Sequence, residues 1–169
     1  MSKMSLEKLI SDKNRIDEIV RLRLHEDFVD TILNEYVKKA SEEFNLPVVL
    51  VSIVLNGVQK FAAESGLGGW IKEANATPVE WSFCANSIKT RKPLIIEDAK
   101  NHDLVKNNPL VTIDKIQCYA GAPMITRNGY VIGNFCIVGT ESRSFSDDEV
   151  NKLKEYADKV VERLEARVA

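Results

Sequence analysis

The chain has 169 residues, 44% hydrophobic and 28% charged, with a formal net charge of −2. That length suits one domain with a sizeable core, and the near-balanced charge supplies no basic field for nucleic acid or an anionic membrane. No apolar run approaches the ~20 residues that span a bilayer and no signal-peptide core opens the chain, so the expected location is the cytoplasm, with neither nucleic acid nor membrane as partner.

Residues 5–44 read as helix in two pieces. Ser5 is placed to cap the first, whose stripe of Leu6, Leu9, Ile10, Ile16, Ile19 and Val20 is interrupted. The second is cleaner: Phe28, Val29, Ile32, Leu33, Tyr36, Val37 and Ala40 recur at the helical period. The sparser first piece either folds back on its own domain or packs against a second copy as a helical dimer bundle. Residues 1–25 are therefore set apart as a candidate dimerisation element, and residues 26–169 as a single domain.

Pro47 ends helical geometry. Residues 48–55 and 58–64 read as strands around Asn56-Gly57. The stretch Ser65-Gly66-Leu67-Gly68-Gly69-Trp70 reads as a flexible connection, without P-loop or dinucleotide-fingerprint spacing. Thr77, Pro78 and Glu80 then suit the N-cap, first position and capping-box acid of a helix reaching Arg91, burying Trp81, Cys84, Ala85 and Ile88. Residues 94–96 form a short strand. The excursion over residues 99–116 is of a length that is often functional.

Residues 118–125 and 130–138 make a second hairpin around Asn128-Gly129, with both turn residues expected at positive φ. In its second strand Ile132, Cys136 and Val138 fall on one face, and Val131, Phe135 and Ile137 on the other. A strand apolar on both faces belongs mid-sheet. Ser146 and Glu149 then form a capping box for an amphipathic helix through Leu164. Consecutive hairpins imply an antiparallel sheet, hence an α+β fold rather than doubly wound α/β.

A small-molecule site needs apolar walls and a few convergent polar groups. Phe61, Trp70, Phe83 and Tyr119 are the candidate walls, and Ser82, Ser87, Asp98 and Thr112 the candidate polar contacts. The helix start near Trp81 offers free backbone N–H groups to an anion. Each of these residues reads equally as core, cap or turn. Three dispersed cysteines make no disulfide framework, and His25 and His102 lie near none of them, so no metal site is expected. No paired carboxylate or Ser-His-Asp set is present, and no catalytic residue is assigned.

Three signatures carry a family resemblance. They are Trp81-Ser82-Phe83-Cys84-Ala85-Asn86-Ser87-Ile88, then Pro93-Leu94-Ile95-Ile96-Glu97-Asp98-Ala99, and then Asn108-Pro109-Leu110-Val111 followed by Tyr119-Ala120-Gly121-Ala122-Pro123 and Asn128-Gly129-Tyr130-Val131-Ile132-Gly133. Together they resemble the GAF domain of bacterial sensor proteins, with Gly139-Thr140 departing where many relatives carry Asp. The resemblance implies about six antiparallel strands, helices packed on one face and a ligand pocket on the other. It further implies non-catalytic small-molecule sensing in signal transduction, as a homodimer through terminal helices. The cofactor stays unknown. No Cys-His dipeptide is present for a bilin, His102 is a weak haem ligand, and Asn86 and Lys89 make no full cyclic-nucleotide motif. One alternative is a redox enzyme of the free-methionine-(R)-sulfoxide reductase type, using Cys84 and Cys118. Against it, Thr112 stands where the catalytic cysteine is expected. The other alternative is an interaction or dimerisation module without a ligand.

Overall fold

Six strands share one antiparallel sheet in the computed structural model, which describes residues 5–169 without the side chains of Gly69, Trp70 and Glu80. They are β1 (Val48–Val54), β2 (Val58–Ser65), β3 (Ala76–Pro78), β4 (Leu94–Ile96), β5 (Cys118–Ile125) and β6 (Val131–Gly139), in spatial order β3-β2-β1-β6-β5-β4. β6 lies between β1 and β5, and all nine of its positions are buried. On one face α3 (Thr31–Phe44) and α7 (Asp147–Ala166) cover Val49, Val51, Ile53, Ala120, Ala122, Phe135 and Ile137. On the other, Leu50, Val54, Phe61, Tyr119, Cys136 and Val138 lie under α1 (Leu6–Ile10), α4 (Gly69–Ala74), α5 (Asn86–Thr90), α6 (Pro109–Thr112) and their loops. This is the expected α+β sheet, with the long helices on one face.

The parity expected of β6 fails at its start. Met124 pairs with Gly133 but Ile125 pairs with Val131, so Ile132 has no partner and forms a bulge. One extra residue flips the side-chain alternation. Ile132 thus joins Phe135 and Ile137 under the long helices, while Val131 joins Cys136 and Val138 on the other face. The hairpin turns also differ. Only Gly57 (φ 92°) and Gly129 (φ 89°) are left-handed, and neither asparagine is. Gly129 N donates to Thr126 O at 2.8 Å inside the Thr126 N to Tyr130 O bond of 2.9 Å, a longer loop in which glycine alone needs positive φ.

Two helix boundaries also depart from expectation. The N-terminal stretch forms α1, α2 (Lys13–Arg21) and α3, because Asp12 and Asp30 interrupt it as N-caps. Asp12 accepts from Arg15 N at 3.1 Å, and Asp30 from Ile32 N and Leu33 N. Thr77 caps no helix. It pairs with Gln59 in the edge strand β3, followed by a 3₁₀ turn over Val79–Trp81, and α5 begins at Asn86. The anion-favouring helix start near Trp81 is therefore absent. By contrast, the capping box of Ser146 and Glu149 is complete.

The link between α1 and α2 passes over the ends of β1 and β6. Buried Arg15 donates to Ile10 O and Val54 O, both at 2.7 Å, and to Val131 O at 3.5 Å. Burial pulls its pKa down to about 10. One turn on, buried Glu18 accepts from Thr126 Oγ1 at 2.5 Å, from Asn128 Nδ2 at 3.2 Å, and from Arg21. Burial alone would raise this carboxyl, but the three donors outweigh it and hold it below its ordinary value. Residues of the candidate dimerisation element thus pack on their own sheet, leaving Val20 half exposed.

Arg15→Met removes the donor to three buried carbonyls and is expected to cost about 2–4 kcal/mol in urea unfolding. Glu18 has a folded pKa below the unfolded value of about 4.3, so its stabilisation is complete above about pH 5 and is lost as pH falls through the folded value. Glu18→Gln should lower stability at neutral pH, and its deficit against wild type should shrink as pH drops below about 4.

Candidate functional site

Hydrophobic side chains of β1, β2, β5 and β6 floor a cavity of about 190 Å³ on the face away from α3 and α7. Leu50, Phe61, Phe83, Tyr119 and Val138 form its base, and Leu67, Ile71, Leu110 and Ile116 close it from above. Three other hollows are larger. One of about 240 Å³ lies beside Glu18 and Asn128, one of about 510 Å³ between α1 and residues 104–108, and one of about 750 Å³ beside Phe28 and Lys60. Volume favours those three, but all are walled mainly by helices and loops. The smaller cavity is taken as the site because a sheet fixes its wall residues, as binding geometry requires.

The connection over residues 65–70 is not a free tether. Gly66 sits at φ 87°, and a Cβ there would fall 1.7 Å from Pro47 O, so only glycine lets this segment cross the start of β1. The segment leads into α4 and places Leu67 and Ile71 over the cavity.

Polar groups at the cavity wall are already organised. Gln59 Nε2 donates to Thr77 Oγ1 at 3.2 Å, and Ser82 Oγ donates to Gln59 Oε1. Deeper in, Asn134 Nδ2 donates to the Tyr119 hydroxyl at 3.1 Å, and Ser87 Oγ lies against Asn134 Oδ1. The Tyr119 hydroxyl is 2.9 Å from Cys84 Sγ, which is 3.9 Å from Cys136 Sγ. The ring of Phe83 meets that of Tyr119 edge-on at 5.2 Å. Burial pushes the Tyr119 hydroxyl well above its ordinary pKa, so it stays protonated. Burial also opposes ionisation of Cys84, but hydrogen bonds with Cys136, Ser52 and Tyr119 prevail and hold its thiol below the ordinary value. Cys136 is held well above, first by its bond to Cys84 and then by burial.

Of the expected site residues, Phe61, Phe83 and Tyr119 line this cavity, together with Cys84. Ser82 and Ser87 stand one layer back and hold Gln59 and Asn134. Asp98 does not reach the cavity. It accepts from Asn101 Nδ2 at 2.7 Å and Ser142 Oγ at 3.2 Å. Thr112 is exposed at the end of α6. The side chain of Trp70 lies outside the described residues. Cys118 is buried on the opposite face of the sheet and is not brought to Cys84. The thiol that meets Cys84 is Cys136, which sequence reading treats as a small core residue. Gln59 and Asn134 were also missed. Asn134 had left a signal, as the lone amide within an otherwise apolar strand.

The chain matches the family model of the GAF domain over residues 29–164. A cyclic di-GMP phosphodiesterase of Pseudomonas aeruginosa is 31% identical over 146 residues, covering 85% of this chain and 24% of that protein. The chain thus spans about a quarter of that relative's length. The type II free methionine-R-sulfoxide reductase of Thermoplasma acidophilum superposes with a TM-score of 0.66 at 15% identity, over 80% of this chain and 92% of that one. The GAF domain of an Acinetobacter phosphoenolpyruvate-protein phosphotransferase also superposes with a TM-score of 0.66 at 15% identity, over 98% and 96%. Identity that low shows a shared fold alone.

Gly121 lies across from Cys136 and beneath the Tyr119 ring, and a Cβ there would fall 2.2 Å from the Tyr119 hydroxyl oxygen and 2.9 Å from Asn134 Nδ2. Gly121→Ala should therefore displace Tyr119 from its network at a cost of about 1–3 kcal/mol. Urea unfolding and the near-ultraviolet tyrosine signal measure the two effects.

Proposed function

Because the chain belongs to the GAF domain family, we propose that it is a sensory module that binds a small, mainly apolar molecule without an anionic group and acts without catalysis. The observation that carries this reading is the cavity wall. It is apolar at its base and lid, Asp114 is the acidic residue of its lining, and no Lys, Arg or His stands among its described residues. A volume near 190 Å³ is below the roughly 300–1,000 Å³ of drug-sized sites, so the fitting ligand is compact. A cyclic nucleotide would bring a phosphate into a wall without a cation, at a desolvation cost the cavity does not offset. The Pseudomonas relative supports a signalling setting, as a cyclic di-GMP phosphodiesterase of which this chain matches one part. The sulfoxide-reductase alternative has less support, since Cys84 and Cys118 occupy opposite faces of the sheet.

A ligand can shift a regulatory equilibrium only through different affinities for its two states. For output we propose pairing of two copies through the terminal helices, with half-exposed Val20 at the seam. Light scattering should then give twice the chain mass, and Val20→Glu should reduce it to one; a wild-type monomer would refute the pairing.

Thermal unfolding with compact uncharged aromatics such as indole or p-cresol should show a rise in Tm, equivalent to about 2.7 kcal/mol at one hundred times Kd. Leu67→Trp, which fills the cavity, should remove the rise. A rise with cyclic di-GMP or cyclic GMP instead would overturn the ligand class while leaving a sensory role standing.

A further inference from the structure

We propose that Cys84 and Cys136 form a hydroperoxide-reactive dithiol in the cavity wall, closing to a disulfide that alters the pocket. The pairing needs no ligand to be bound, so it stands apart from the sensory reading. Two observations carry it. The sulfurs lie 3.9 Å apart, near van der Waals contact, and must approach to the S–S bond length of about 2.05 Å to bond. Both residues also line the cavity, so a small oxidant entering it reaches sulfur that is closed to bulk solvent.

The surrounding hydrogen bonds favour Cys84 as the attacking sulfur. Asn134 Nδ2 donates to the Tyr119 hydroxyl, which leaves that hydroxyl's own proton for Cys84 Sγ at 2.9 Å. A donor aimed at sulfur stabilises the thiolate, which is the reactive form. The depressed pKa of Cys84 and the raised pKa of Cys136 agree with this division of roles. Cys118 has neither feature. It sits on the other face, and burial pushes its thiol up.

The chemistry balances with a hydroperoxide as the oxidant. Cys84 sulfur attacks the terminal peroxide oxygen and the O–O bond breaks. The leaving oxygen takes the Cys84 proton and departs as alcohol, or as water from hydrogen peroxide. Cys84 is then a sulfenic acid. Cys136 sulfur attacks it, the S–S bond forms, the S–O bond breaks, and hydroxide leaves as water with the Cys136 proton. Two electrons from the two thiols reduce one peroxide. Disulfide formation takes Cys84 away from the Tyr119 hydroxyl and draws the two walls of the cavity together.

The test is thiol counting on the reduced full chain after treatment with hydrogen peroxide or tert-butyl hydroperoxide, followed by alkylation in denaturant and peptide mapping. Alkylatable thiols should fall from three to one, with peptides containing residues 84 and 136 joined and Cys118 still free. Dithiothreitol should restore all three. Cys136→Ser should stop at a sulfenic acid on Cys84 that dimedone traps, and Cys84→Ser should block cross-linking. Tyr119→Phe should slow the first step several-fold without abolishing it, and cavity-filling Leu67→Trp should slow it as well. Three thiols persisting in treated wild type, faster oxidation of Cys118, or sulfinic acid on Cys84 without a cross-link would each overturn the proposal. These wild-type measurements do not depend on whether the variants fold.

Discussion

Everything in this fold depends on β6 having no free face. Nine consecutive buried positions mean that its backbone must be paired on both edges, and its side chains covered above and below. β1 and β5 meet the first requirement. The second needs two apolar layers of different character. Long amphipathic helices with their own caps cover one face. The other is covered by short helices and loops that cannot form without the sheet beneath them. A shallow cavity between strand and loop is a natural outcome of that second kind of cover, because short elements meet a sheet imperfectly.

The loop-covered face is also where the buried polar groups collect. Asn134, Ser87 and Tyr119 form one hydrogen-bonded set and Gln59, Thr77 and Ser82 another, both within an apolar layer. A satisfied network of this kind is rigid, since removing any member leaves a buried donor or acceptor unpaired. The same constraint governs the far end of the sheet. There Arg15 and Glu18 tie the first two helices to β1, β6 and the second hairpin turn through bonds spanning up to 116 residues of sequence. The first two helices are thereby bonded to the sheet they cover.

Local chemistry made much of this legible beforehand. The strands over residues 48–55, 94–96 and 118–125, the Ser146 capping box and the terminal amphipathic helix all follow from period, caps and turn residues within a short window. Phe61, Phe83 and Tyr119 were legible as pocket walls because large aromatics beside an apolar strand have few other places to go. Asp98 and Thr112 misled because a polar residue in a loop satisfies its own turn or meets solvent as readily as it faces a ligand. The helix expected from Thr77 failed because its capping signal was outcompeted by pairing with Gln59.

From the sequence alone came the α+β class, the antiparallel hairpins, the family and the two-sided burial of the central strand, all set by interactions within a few residues or by patterns repeated along the chain. Tertiary structure alone decided that the bulge at Ile132 sends Val131 and Ile132 to opposite faces, and that Cys136 rather than Cys118 meets Cys84. It also decided that Arg15 and Glu18 are buried. Each of these depends on register or on contacts across tens of residues, and a single slipped residue in a strand exchanges its two faces. Side-chain type proposes which groups can react or bind, but which ones meet is a property of the register.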